Sequence, residues 1–382
     1  MPSLLDALGA GEGLTRYVGG AVRDDLLSLP VNDVDLATRL APEEVVRRLE
    51  AAKIRAVPTG IEHGTITAVS SGHAVEVTTL RRDVSTDGRR ATVAFTDDWK
   101  EDAARRDFTI NALSGDPQTG EIFDYFDGIE DLKARRVRFI GDPFQRIAED
   151  HLRILRFFRF HARFGLGAPD EPALEACSAR ANDLMALSRE RIADELLKLL
   201  SVEDPSPTVG IMLDRAILKP VLPEIAASAI GPLRSLVAAE AEAGIKGDSL
   251  RRLSALLPRD PSLAEGIAVR LKLSTKARKR LACSAGRDLD SGPRALAYFI
   301  GRDCAVDRLL LTARPNDAAD VAAWEAPRLP IGGGELIRRG LSAGPEVART
   351  LRAIERTWAD RGFPGGEPFE AIVTKALESP SD

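Results

Sequence analysis

Cysteine is scarce in this chain, with three in 382 residues: Cys177, Cys283 and Cys304. Far apart and odd in number, they suggest neither a disulfide framework nor a zinc site, and they fit a reducing cytosol. Aromatic residues contribute only 5%. No apolar run approaches the roughly 20 residues that a membrane-spanning helix needs. The opening MPSLLDALGAGEG has no basic segment leading into an apolar core, so no signal peptide is expected. Histidine is sparse too. His63, His73, His151 and His161 have no spacing or neighbour that suggests catalysis, and no His-Asp dipeptide occurs. The formal charge of -5 excludes a wholly basic nucleic-acid coat and leaves room for a local basic groove. What is present is 44% hydrophobic content, in a length that suits two to three domains with real cores. A soluble, cytoplasmic protein is expected.

The densest pattern lies in YVGGAVRDDLLSLPVNDVDL, residues 17–36. A β-type run breaks at Gly19-Gly20, and a helix-compatible run carries Arg23 and Asp24. After a Leu29-Pro30 stop comes a second short strand, Asp33–Leu36. Side chains alternate along a strand, so Asp33 and Asp35 share a face. Two carboxylates that close repel each other. A divalent cation such as Mg²⁺, which prefers oxygen ligands, removes the conflict. Gly19 and Gly20, lacking Cβ, let backbone N–H groups approach a phosphate at a helix N-terminus. Arg23, one turn on, reaches the same oxygens as a forked donor. Each piece alone has a plainer reading: a tight turn, a solvated loop end, a surface charge. In this order and spacing they read as a site for a metal-bound nucleoside triphosphate.

Pro42–Ala52 predicts a helix, and strand-like runs follow at Ile54–Val57, Thr65–Val69 and Ala74–Thr79, hence a small α/β domain. If the valines of VEVTT face the core, Glu76 points the other way. It is then either a third carboxylate near Asp33 and Asp35 or an exposed strand glutamate. Arg81–Thr96 reads as a mobile, basic loop with turn chemistry at Asp87-Gly88, either a lid over the phosphates or an ordinary hairpin. In DAARRDFTINAL, Arg106 and Asp107 form a salt bridge or bind a ligand, and Asn111 holds a ribose hydroxyl or caps a helix. Ile122–Ile140 predicts two strands around an Asp127-Gly128 turn, with Asp124 and Asp127 as turn-forming acids. One long helix is predicted over Phe144–Phe164. Glu149, Asp150, Arg153 and Arg156 then lie on its neighbouring faces, as a salt-bridged surface or as an acid and a guanidinium that read a base edge. Beyond Gly165 no strand pattern is convincing. Ser188–Leu200 predicts a helix with Ile192, Leu196, Leu197 and Leu200 inward and Glu195–Lys198 outward, ending before Pro205-Ser206-Pro207.

YVGGAVRD with DVDL, then RRDFTINAL, FDGIEDL, EDHLRILRFFRF and SRERIADELLKLL resemble, in that order, the motifs of class II tRNA nucleotidyltransferases and bacterial poly(A) polymerases. The resemblance implies an α+β protein. A polymerase β-like nucleotidyltransferase head with a mixed sheet and helices would occupy residues 1–140. An all-helical neck that recognises the base would occupy 141–204, and a helical body and tail that bind tRNA would occupy 205–382. It implies that Asp33 and Asp35 are metal ligands, with Glu76 as a further catalytic carboxylate. Gly19, Gly20 and Arg23 would hold the triphosphate, and Arg106, Asp107 and Asn111 the sugar and phosphates. Asp150 and Arg153 would read the base, supported by Glu149, Arg156 and Arg191. The implied reaction is template-independent transfer of CMP and AMP from CTP and ATP to a tRNA 3′ end, with two Mg²⁺ ions per site.

Poly(A) polymerases of this superfamily carry a Gly-Arg-Arg-Phe-Arg-type signature, from which Gly88-Arg89-Arg90-Ala91-Thr92 departs. The acidic charge and the retained Arg81–Thr96 segment also favour a full CCA-adding enzyme over a poly(A) polymerase or an enzyme that adds part of CCA. A metal-dependent glycosyltransferase would leave the upstream glycines, Arg23 and the Glu149–Arg156 helix unexplained. Intact Asp33, Asp35 and Arg23 argue against an inactive RNA-binding relative. Basic residues, among them Arg136, Arg159 and Arg163, are expected along the path of the acceptor stem, where phosphate contacts would make binding salt-dependent.

Overall fold

In a computed structural model, residues 1–31, 33–70, 72–87 and 90–378 are described. The chain divides into two compact units, Met1–Leu199 with Ile211–Val221, and Leu200–Gly210 with Leu222–Asp382. In the first unit the elements run α1 (Pro2–Ala7), β1 (Thr15–Val18), α2 (Gly20–Leu26), β2 (Asp35–Thr38), α3 (Pro42–Ala51), β3 (Arg55–Gly60), β4 (Thr65–Ser70) and β5 (His73–Thr79). They continue through β6 (Arg81–Asp87), β7 (Arg90–Phe95), α4 (Trp99–Ala104), β8 (Ser114–Gly115), β9 (Ile122–Phe123), α5 (Gly128–Lys133), α6 (Pro143–Glu149), α7 (Arg153–Phe164), α8 (Glu171–Ala179) and α9 (Arg189–Leu200). Seven strands form one sheet in the order β3-β4-β5-β2-β1-β8-β9. Only β2 and β5 pair in parallel. The sheet is therefore mixed, as expected.

Strand alternation divides the residues of this sheet. Leu36, Ile66, Val75 and Val77 bury one face against Leu4 of α1, Leu8 just beyond it, and Val45 and Leu49 of α3. The opposite face carries Asp35 and Glu76, which are directly paired across β2 and β5. Asp33 precedes the strand, which begins at Asp35. The Arg81–Thr96 segment is a hairpin of β6 and β7 rather than an open loop, with a register shift between Asp83 and Ser85. The Gly88-Arg89 part of its turn lies outside the described residues.

Two elements depart from the sequence expectation. The second strand expected after Asp127-Gly128 is helix α5. The Asp124 carboxylate accepts from the N–H groups of Phe126 (3.1 Å), Gly128 (2.9 Å) and Ile129 (2.9 Å), which satisfies the first donors of that helix. The long helix over 144–164 is two helices, α6 and α7, because Asp150 is extended (φ −152°, ψ 107°). Its carboxylate accepts from the Leu152 N–H at 3.1 Å, a local bond that competes with a continuous helix.

The start of α7 is set against the segment 107–109 by aromatic packing. Phe108 lies 4.9 Å from Phe139 and 5.0 Å from Phe160, centroid to centroid, and Phe157 lies 5.7 Å from Phe139. Backbone bonds from Thr109 N–H to Arg138 (3.1 Å) and from Ile140 N–H to Asp107 (3.2 Å) hold the same segment. Glu195 of α9, expected outward, is 4% exposed. It turns inward because Arg159 of α7 donates to it at 2.6 Å.

The second unit is helical among its described residues, as expected beyond Gly165. At its centre Arg251 pairs with Glu240 (2.7 Å) and Asp307 (2.8 Å), Arg252 pairs with Glu240 (2.9 Å), and Arg280 pairs with Asp307 (2.7 Å). Cys283 and Cys304 form a disulfide, which corrects the expectation that no cysteines pair. The helices Thr275–Gly286 and Arg302–Leu311 bring their Cα atoms to 6.2 Å, a proximity that a spacing of 21 residues does not announce. Cys177 remains a buried free thiol.

Gly128 supplies a direct test of the packing around Asp107. A Cβ there would fall on the Thr109 carbonyl oxygen. Gly128→Ala is expected to destabilise the protein by about 1–3 kcal/mol through overpacking, read as a lowered thermal midpoint by circular dichroism. An unchanged midpoint would contradict the close approach.

Candidate active site

The end of β1 sets the first part of the site. Gly19 leaves the strand at φ +67°, the left-handed region, and its N–H donates to Leu113 at 3.0 Å. A Cβ on Gly19 would lie 2.7 Å from Arg106 Nη1, so glycine answers both the conformation and the approach of that guanidinium. One turn into α2, Arg23 is 6% exposed. Burial lowers its pKa, against the pull of Asp24, which accepts from it at 2.7 and 2.8 Å. It also donates to Asn111 Oδ1 and lies 4.2 Å over the Phe164 ring. The guanidinium is thus held on several sides.

Asn111 passes the connection on. Its Nδ2 donates to Asp107 Oδ1 at 2.9 Å, and the Phe108 N–H donates to the same oxygen at 2.9 Å. Arg156 donates to Asp107 Oδ2 from Nε (2.8 Å) and Nη2 (2.6 Å). Burial alone would push Asp107 up, yet Arg156, Asn111 and the Phe108 N–H outweigh it and hold the carboxyl below its usual value. For Arg156 the balance also favours charge: burial lowers its pKa, and Asp107 with Glu195 raises it further. Arg106 and Asp107 do not pair with each other. Arg106 pairs with Asp102 at 3.5 Å and donates to the Asn111 carbonyl at 3.4 Å, while burial lowers its pKa.

The base-side candidates meet at the gap between α6 and α7. Arg153 Nη1 donates to Glu149 (2.5 Å) and to the Arg146 carbonyl (2.7 Å). Arg191 donates to Asp150 Oδ2 at 2.8 Å, so of the three residues expected in support Glu149 touches the guanidinium and Arg191 the acid, while Arg156 turns to Asp107 and Glu195. All the nucleotide candidates, Gly19, Gly20, Arg23, Arg106, Asp107, Asn111, Asp150, Arg153 and Arg156, line one cleft of about 430 Å³. Phe160 lines it with them.

Asp35 and Glu76 stand side by side on the open face of the sheet, with Asp33 two residues upstream. Burial raises the Asp35 pKa first, and Glu76 and Asp33 add to the rise, while the charge of Arg106 opposes it. Among the described residues, no three histidine, cysteine or acidic side chains form a ready metal cluster. The paired carboxylates of Asp35 and Glu76 are the donors on offer to a hard ion such as Mg²⁺, which is held by one or two carboxylates and completes its shell with water and substrate phosphates. The oxygen-only donor set and its mutual repulsion suit such an ion.

Among the RNA candidates, Arg136 donates to the buried carboxylate of Asp131 at 2.7 Å, and Arg159 is joined to Glu195 at 2.6 Å. Arg163 is exposed and lies 3.4 Å from Asp24. Several contributors were not singled out from the sequence. Phe160 lies beneath Arg159 (4.5 Å), Arg156 (5.4 Å) and Arg23 (5.4 Å), and its i+4 spacing from Arg156 was an available signal. Asp102 and Arg106 share the same spacing on α4 and its end. Glu195 had no local signal, since its partner is on another helix.

Comparison with known proteins places the chain among relatives. Residues 15–138 match the poly A polymerase head domain, and residues 168–228 match the domain described as "Probable RNA and SrmB- binding site of polymerase A". The mitochondrial CCA tRNA nucleotidyltransferase 1 of Mus musculus is 35% identical over 379 residues, covering 91% of this chain and 83% of that protein. The CCA-adding enzyme of Oceanobacillus iheyensis is 41% identical over 200 residues, 52% of this chain and 48% of that one. The crystal structure of the Bacillus stearothermophilus CCA-adding enzyme in complex with CTP superposes with a TM-score of 0.75 at 27% identity, covering 98% of both chains. No helix among the described residues is long and apolar enough to cross a membrane. On this match over nearly its whole length, the chain belongs to the class II tRNA nucleotidyltransferase family, alongside the CCA-adding enzymes.

Proposed function

We propose that this chain is a template-independent CCA-adding tRNA nucleotidyltransferase, which transfers CMP and then AMP from CTP and ATP to the tRNA 3′ end and releases pyrophosphate. The observation that carries this reading is the cleft lined by both the phosphate-binding and the base-reading candidates, in which Asp107 joins Asn111 to Arg156. In this reading residues 1–140 form the catalytic head, 141–204 the neck that selects the base, and 205–382 the body and tail that hold the tRNA. A cytoplasmic location belongs to the same proposal, whereas the mouse relative is named as mitochondrial.

The residues divide the work by their chemistry. The Gly19-Gly20 backbone with Arg23 and Arg106 offers N–H donors and positive charge to a triphosphate. Burial of both guanidiniums strengthens their pull on an anion, since little water competes. Asn111, fixed by Asp107 on one side and Arg23 on the other, faces the sugar. Cytosine and adenine each present an amino donor next to a ring-nitrogen acceptor, and uracil and guanine invert that order. Asp150 accepts from the amino group and Arg153 donates to the ring nitrogen, so one pair of side chains accepts C and A and leaves U and G unpaired. Asp33 and Asp35, with Glu76 beside them, would hold Mg²⁺, which when bound acidifies the 3′-hydroxyl and neutralises the leaving pyrophosphate. The 3′-oxygen attacks the α-phosphorus as the bond to the bridging oxygen breaks. Positioning by these side chains takes the place of a protein nucleophile.

The reading is tested by sequencing 3′ ends after incubation of tRNA transcripts that end before CCA, after C and after CC, with CTP and ATP separately and together. Completion to CCA followed by a stop is expected. Long adenosine tails on any RNA would assign the chain to the poly(A) polymerases, and adenosine added only to CC ends would assign it to a partial enzyme. For the carboxylates, Asp35→Asn is expected to lower kcat on the order of a thousandfold, with KM for CTP little changed, measured by incorporation of labelled CMP. A kcat within a few-fold of wild type would remove Asp35 from the reaction.

A further inference from the structure

The second unit contains a cleft that the nucleotidyl-transfer reading leaves unused. It measures about 550 Å³ and lies between the helix Thr275–Gly286 and the corner Ile300–Cys304. Lys276, Lys279, Arg280 and Cys283 line one wall and fall at i, i+3, i+4 and i+7, a single helix face. Arg302 lines the other wall, at the first turn of the helix Arg302–Leu311, whose N-cap Gly301 supplies no side-chain acceptor. Lys276, Lys279 and Arg302 are exposed, and among the described residues none of them has an ion-pair partner. Arg280, by contrast, is bound to Asp307 (2.7 Å) and Asp248 (3.0 Å). Asp303 is the one carboxylate that lines the cleft.

An unpaired cluster of cations stands out in a chain of net charge -5. Three like charges around one cleft repel one another, and a polyanion relieves that repulsion. The Cys283–Cys304 disulfide lies at the end of the same cleft and joins its two walls. We infer that this cleft is a clamp for the phosphate backbone of RNA, and that the Cys283–Cys304 bond holds it in shape against its own charge, so that the thiol state of the pair sets the strength of the grip. The inference rests on the proposed tRNA reaction and adds a contact region and a redox control to it.

Opening the clamp requires a dithiol reductant. The reductant gives up two electrons and two protons, the Sγ–Sγ bond breaks, two thiols form, and the reductant leaves as a disulfide. The Arg280–Asp307 pair and the bond from Arg308 Nε to the Cys283 carbonyl (2.8 Å) still join the two helices. Reduction therefore loosens the cleft and leaves the fold intact.

The test measures binding of a tRNA transcript to the full-length chain by fluorescence anisotropy across a series of KCl concentrations. Lys276→Ala with Lys279→Ala is expected to reduce the slope of log affinity against log salt by about two, and to weaken binding roughly tenfold at low salt. Arginine at both positions is expected to restore the slope. Wild-type protein treated with a dithiol, and the Cys283→Ser/Cys304→Ser variant, are both expected to bind about threefold more weakly than the oxidised protein through lost preorganisation, with an unchanged helical circular-dichroism signal. An unchanged slope in the lysine pair would overturn the clamp. Equal affinity of oxidised, reduced and serine-substituted protein would overturn the redox control. If the lysine pair altered binding of tripolyphosphate and left the tRNA slope alone, the cleft would belong to a free polyphosphate. Wild-type protein without tRNA affinity would overturn the proposed function as well, which separates that failure from failure of the clamp alone.

Discussion

Arg156 donates twice to a single carboxylate oxygen of Asp107, and the candidate site is built outward from that contact. On one side Asp107 fixes Asn111, which accepts from Arg23. On the other, Arg156 and Arg159 share Glu195, the only acidic partner that α9 offers them among the described residues. The chain of bonds joins the turn after α4 to two helices far away in sequence. It places the groups suited to phosphates and those suited to a base in one cleft, at a separation that the protein chooses. Template-independent base selection needs such a frame, because no nucleic-acid strand supplies one.

Buried ion pairs of this kind contribute little net stability, since desolvation offsets most of the attraction. Their value lies in geometry. Removing one partner leaves an uncompensated charge, so the side chains have few alternative arrangements. Phe160 adds an apolar floor under Arg23, Arg156 and Arg159. The carboxylates at Asp35 and Glu76 follow the opposite logic. Burial raises the Asp35 pKa and the nearby Glu76 raises it further, which is a reason for a cation to bind there.

Much of this was legible in the sequence wherever a local rule decides the outcome. Alternation in VEVTT put Glu76 opposite its valines, and the register of β2 with β5 set it beside Asp35. Gly19 marked a turn that also admits Arg106. What was missed depends on side-chain partners, near or distant, that apolar periodicity does not report. Periodicity ran through Asp150 because the spacing of apolar residues does not report that its carboxylate accepts from the Leu152 N–H two residues on and from Arg191 far along the chain. Glu195 looked like an outward charge until Arg159 is placed against it, and the apolar run after Gly128 looked like a strand because the acceptor that starts its helix is Asp124. The Cys283–Cys304 pair is likewise a product of helix packing.

The most direct test of the account is a double-mutant cycle between the two residues at its centre. kcat/KM for CMP transfer from CTP would be measured for wild type, Asp107→Asn, Arg156→Met and the double variant. If the contact aligns the phosphate side with the base side, the two losses are strongly non-additive, with a coupling energy of about 1–3 kcal/mol. Losses that simply add would mean that Asp107 and Arg156 act independently, and would contradict the claim that their contact organises the site.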